Sequence, residues 1–326
     1  MNDSQSPLES SPVTTDPSPV NSAKTFDLLF GGQGLRSGWG FFLYLMLAYV
    51  LVVFLQKALA HVMHGLSGTL WPDMTTRVVL LVCVVLPAIL LSRLEKRPFG
   101  AYGLPAQGAF GKFFWLGMVW GFAALSALLL ALRGAHVFYF GTISLHGARA
   151  VKFAAFWGIY FLLVGFFEEF LFRGYTLFTL SRGIGFLLRI LKIAQNASTP
   201  GFWLAAIALS VLFGVVHLGN SGESWMGAAA AAGIAFFFCL TLRRTGTLWF
   251  AVGFHASWDW AESYFYGVPD SGGMIQGHLM NPSSNGPVWL TGGSVGPEGS
   301  LLVFVVIGSL MVAFHVLHPA AKADLA

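Results

Sequence analysis

Eight long apolar runs separated by short polar connections dominate this chain and leave it few possible folds: 39–60, 75–94, 113–132, 152–176, 202–219, 225–242, 245–262 and 300–317. Each approaches the roughly 20 residues that a helix needs to cross the hydrocarbon core of a bilayer. A transmembrane β-barrel would show apolar and polar residues alternating at period two, whereas these runs are continuously apolar. A water-soluble globule is excluded as well. Only 10% of the residues are charged and 56% are apolar, where a soluble domain carries about a quarter charged. The predicted fold is all-α: a polytopic membrane helix bundle of about eight transmembrane helices, with lipid as its main solvent.

The basic residues set the orientation. With the N-terminus cytoplasmic, the inner segments hold Lys24, Arg36, Arg93, Lys96, Arg97, Lys112, Arg182, Arg189, Lys192, Arg243, Arg244 and Lys322, and the outer ones only Arg77, Arg133, Arg149 and Lys152. Both termini are therefore expected inside. The formal charge of +4 is spread between apolar runs and forms no patch for nucleic acid. Cys83 and Cys239 lie within apolar runs, which argues against a disulfide framework or a thiolate metal site. The segment 184–194 reads equally well as an interfacial helix or as the frayed end of the fourth span. The connection 262–299 has nine glycines and no Lys or Arg, which predicts an ordered outer loop of tight turns.

Ionisable groups inside apolar helices are costly, and each is by default a functional candidate. Glu168, Glu169 and Arg173 follow fifteen uncharged residues, Phe153 to Phe167. Glu169 and Arg173 are four apart, hence on one helix face and able to neutralise each other. Glu168 points about 100 degrees away, leaving a spare carboxylate for general-base work. The bland alternative is a structural ion pair with Glu168 reaching the interface. His217 ends the fifth span, one turn after Phe213; alone it would more often be a hydrogen-bonded structural residue. His255 and Asp259 are again four apart, and Glu262 extends their face to what reads as the water interface. Six such groups on three apolar helices predict one shared polar cavity. With the fourth span ending at 176, Glu168 and His217 reach the same depth only if that span continues to about residue 180.

A carboxylate beside an imidazole can activate water, and donors opposite can stabilise the oxyanion of amide or ester hydrolysis. No HExxH motif occurs. A Ser221–His255 dyad is conceivable but would leave the buried glutamates unexplained. The order EExxxR at 168–173, FxxxH at 213–217 and HxxxD at 255–259, each on its own apolar helix, resembles the CPBP (CAAX protease and bacteriocin-processing) intramembrane protease family. That family is also called Abi and includes the type II CAAX prenyl endopeptidases. The likeness covers roughly 150–260, and LTGGSVGPEGS at 290–300 is similar to bacterial members.

This resemblance implies an endopeptidase with catalytic Glu168, His217, His255 and Asp259, and with Glu169 and Arg173 in support. Glu168 and His217 would activate the water, and His255 with residue 259 would face them across the scissile carbonyl. The family has Asn or Asp at that last position; the Asp259 present here could be protonated, orient His255 or help to hold a metal. The resemblance also implies a candidate divalent metal site at Glu168, His217 and His255, for which zinc suits the donors. The chain then divides into a Ser/Pro-rich disordered cytoplasmic tail (1–30), N-terminal transmembrane helices (31–140) and a protease core (141–326). The expected partners are a peptide or lipidated protein substrate and the lipid bilayer, with no nucleic acid, and the expected location is a bacterial inner membrane. The competing classes are a non-enzymatic membrane immunity or partner protein and a proton-coupled transporter.

Overall fold

The computed structural model of the chain describes residues 30–31, 34–35 and 37–319. The predicted tail, apart from Phe30, and the basic residues Lys24, Arg36 and Lys322 lie outside the described residues. All eight apolar runs are helical, in an order that makes a polytopic bundle: α1 (Ser37–Gly65), α2 (Trp71–Leu94), α3 (Lys112–Gly134), α4 (Gly147–Glu169), α5 (Thr176–Ile190), α6 (Ser198–His217), α7 (Trp225–Thr245), α8 (Trp249–Asp259) and α9 (Leu302–Leu317). Among the described residues, six helices are long and apolar enough to cross a membrane. The seventh run, α8 with the wider helical turns Trp260–Tyr266 that follow it, is not among them, and the eighth, α9, is 16 residues long. The molecule is thus a multi-pass integral membrane protein whose lipid-facing sides keep large apolar residues exposed, such as Phe54, Val119 and Val211.

The fourth span differs from its predicted limit in an instructive way. Helix continues from Gly147 to Ile190, 44 residues, through a wide π-helical turn over Phe170–Tyr175 where Gly174 leaves helical geometry (ψ −113°). Such insertions in a helix often mark functional positions. The bend is fastened to the end of α2: the Tyr175 hydroxyl donates to Glu95 Oε1 (2.5 Å) and Tyr102 to Oε2 (3.1 Å). Burial and the Glu95 carboxylate push the Tyr102 phenol up, so it stays a donor. Beyond the bend, amphipathic α5 returns alongside α6 and α1. The basic, apolar segment from 184 onward is therefore largely the end of the same helix.

The tightest packing joins α3 to α8, across the boundary drawn at residue 140. Gly117 and Gly121 on α3 face the Phe250 and Phe254 carbonyls, and Gly253 on α8 faces the Phe114 carbonyl; a Cβ at any of the three would collide with backbone. Small residues four apart allow helices in lipid to approach this closely, and dispersion then replaces the missing hydrophobic drive. Around this contact lies the main core, including Leu125, Leu128, Phe237, Phe250, Phe254 and Phe314.

The long connection after α8 is ordered, as its glycines predict. Gly267 stops the helix in the left-handed conformation (φ 68°). Met280–Ser284 pairs antiparallel with Phe138–Ile143, which precedes α4. Trp157 and Ser144 anchor the connection by donating to the carbonyls of Gln276 and His278.

Candidate active site

A cavity of about 690 Å³ opens among α2, α4, α6, α7 and α8. Its mouth is formed by the α1–α2, α6–α7 and post-α8 connections, represented by Leu70, Ser221 and Ser271, at the end of the bundle opposite Ser37 and Leu317. Four of the six predicted site residues line it: Glu168, His217, His255 and Asp259. Glu169 and Arg173 lie behind it, fully buried. Continuation of the bent helix to Ile190 removes the depth conflict, since Glu168 and His217 border the same space.

The electrostatics are organised around His255. Its Nδ1 lies 2.8 Å from Glu169 Oε1, and its Nε2 is 3.5 Å from Asp259 Oδ2 and 3.7 Å from Glu168 Oε2. The same Glu169 Oε1 accepts from the Arg173 guanidinium at 3.2 Å, which is the predicted pair. One oxygen therefore serves two donors from two helices, while Oε2 has no hydrogen-bond partner. The guanidinium sits 4.2 Å from the Phe213 ring centre, with Phe172 and Phe238 close by. An arginine among aromatic faces is better accommodated than a bare buried cation. Glu168 does not share that burial: its side chain is 19% exposed and meets the cavity.

His217 is positioned from within its own helix. Its Nδ1 lies 2.7 Å from the Phe213 carbonyl oxygen, so Nδ1 carries the proton and Nε2 is the nitrogen left to the cavity. Phe213 also stacks obliquely on the imidazole (4.4 Å between centroids), which gives the FxxxH spacing a physical purpose.

Several features of the site escaped the sequence reading. Helical spacing pairs Glu169 with Arg173 alone; its bond to His255 joins residues 86 apart, beyond any local pattern. Arg77, counted only as an outer charge, donates to the Tyr160 hydroxyl on the cavity wall at 2.9 Å. Asp270 and Glu298 line the cavity as well. Glu262, expected at the water interface, is instead 0% exposed; the post-α8 connection folds over it and excludes water. Burial also pushes the carboxyls of Asp270 and Glu223 above the ordinary range. Glu168, His217 and His255 are not the ligand group gathered most closely. Among the described residues, the acid or imidazole group with all ligand atoms within 4.8 Å of one another is Glu262, Asp270 and Glu298.

Residues 150–261 match the family model described as type II CAAX prenyl endopeptidase Rce1-like, a match that contains all three motif-bearing helices and implies a peptidase. No curated protein and no solved structure matches the chain.

Proposed function

We propose that this protein is an intramembrane endopeptidase that cleaves peptide bonds near the ends of membrane-associated proteins, including prenylated tails, by water activated at Glu168. The observation that carries this reading is the division of labour between adjacent glutamates. Glu169 is occupied by Arg173 and His255 behind the cavity, while Glu168 stands on the cavity wall 3.7 Å from His255 Nε2. In this mechanism Glu168, with His217 Nε2 beside the same cavity, takes a proton from water as its oxygen adds to the scissile carbonyl carbon. The carbonyl π pair moves onto oxygen, and His255 Nε2–H faces the resulting oxyanion. Collapse of the tetrahedral intermediate breaks the C–N bond, and Glu168 returns its proton to the departing amine. Asp259 keeps the His255 imidazole aimed at the oxyanion.

The donors suit a divalent cation in kind, because both imidazoles have Nδ1 held by an acceptor, as metal-bound histidines do. Among the described residues Glu168, His217 and His255 are not gathered to ligand spacing, so they would hold a zinc ion only by closing on it with His255 Nε2 unprotonated, an alternative to its oxyanion role in which the ion would supply a Lewis acid that lowers the pKa of water. The apolar part of the wall, with Phe161, Val164, Ile234 and Ile307, suits a lipidated or hydrophobic tail, and the volume lies in the usual range for ligand sites. By the distribution of basic residues the termini are cytoplasmic and the mouth faces outward, in the inner membrane of a bacterium. Quantitative proteomics of membranes carrying wild type or Glu168→Ala tests the reading. Truncated tails should be present in wild type and absent from the variant, and from His217→Ala and His255→Ala. Identical peptide ends in all four would refute it.

A further inference from the structure

Three carboxylates from separate parts of the outer structure converge: Glu262 on the wide turns that end α8, and Asp270 and Glu298 in the connection that follows. Two are held by neutral donors. Asp270 Oδ2 accepts from the Ser263 hydroxyl (3.3 Å), and Glu298 accepts from Trp258 Nε1 (2.8 Å) and the Ser271 hydroxyl (3.0 Å). Glu262 is different: it is 0% exposed, and neither of its carboxylate oxygens makes a hydrogen bond of good geometry, although the Trp258 indole that donates to Glu298 lies close to it. No ion pair joins any of the three to a Lys or Arg among the described residues, and the whole segment 262–299 contains no basic residue except His278. An unpartnered carboxylate packed against two others is among the least favourable arrangements in a protein interior. Either shared protons or a bound cation must neutralise it.

We propose that Glu262, Asp270 and Glu298 form a divalent-cation site of the calcium type, which pins the 267–299 connection to the end of α8 above the cavity. All-oxygen ligands select hard cations, whereas zinc and copper prefer imidazole or thiolate. Calcium tolerates irregular, loop-borne geometry, and magnesium demands a near-ideal octahedron. Two of the three ligands here stand on a loop. The site borders the same cavity as the proposed catalytic set, through Asp270 and Glu298, but uses none of its residues and holds whether or not the cavity hydrolyses peptides.

Full-length protein purified in detergent and stripped with EGTA should bind calcium saturably, one ion per chain by calorimetry, with a matching rise in Tm. Glu262→Gln should weaken that affinity at least about tenfold, because ligand charge sets calcium affinity. Glu298→Gln should do the same and supplies the measurement if the first variant does not fold. Glu168→Ala should keep the full calcium response. Absence of saturable binding by wild type would overturn the proposal, leaving a cluster that shares protons. So would calcium affinity undiminished in both Gln variants, or lost in Glu168→Ala.

Discussion

Arg173→Met isolates what the buried pair behind the cavity contributes. The Arg173 and Glu169 side chains are 1% and 0% exposed, and Glu169 has one remaining partner once the guanidinium is gone, His255 at 2.8 Å. Breaking a buried pair from one side costs about 3–5 kcal/mol, because a charge is left without compensation. The bond to His255 places this case at the low end, about 3 kcal/mol, which corresponds to a fall in Tm of roughly 4–5 °C for a chain of 326 residues. The double variant Glu169→Gln/Arg173→Met should regain most of that loss. Gln can still accept from His255 Nδ1, and Met fits among Phe172, Phe213 and Phe238, where thioether–aromatic contacts are favourable. The assay is thermal unfolding in detergent, read by intrinsic fluorescence and supported by yield from membranes. A single variant as stable as wild type would show that no buried charge had been stranded. A double variant no better than the single would show that aromatic packing of the guanidinium, and not the ion pair, carries the stability.

Asp259→Asn should keep cleavage within about tenfold of wild type, since an amide can still position the imidazole, whereas Asp259→Leu should abolish it; an inactive Asn variant would show that the negative charge itself is needed. Gly117→Leu should force α3 off α8 and lower stability by about 1–3 kcal/mol, measured as Tm, and an unchanged Tm would contradict the backbone-to-backbone contact. Glu223 has its carboxyl raised by burial, so the folded state binds more protons than the unfolded state between the two pKa values and stability falls as pH rises through that window. Glu223→Gln should flatten the dependence of Tm on pH there, and an unchanged slope would assign it to other groups.

What could be read from the sequence was what local spacing encodes. The eight apolar runs are helical because length and continuous hydropathy suffice to specify helices in lipid, and Glu169–Arg173 pairs because four residues make one turn. The failures share a different cause. The apolar run of the fourth span ends at 176, but FLFRGY contains no proline and the helix continues through a wide turn held by Glu95, 80 residues from Tyr175. Glu262 reads as interfacial because it ends the seventh apolar run, whereas the segment that buries it lies further on. Partners supplied by another helix or a folded loop leave no periodic trace.

The mouth of the cavity, with its serines, acids and Arg77, has a consequence for supply. The two reactants of a hydrolysis arrive from different phases, one from bulk solvent and one from the bilayer. If the cavity hydrolyses peptides as proposed, its polar wall gives water a route to Glu168, and entry of a polypeptide from the lipid becomes the slower supply.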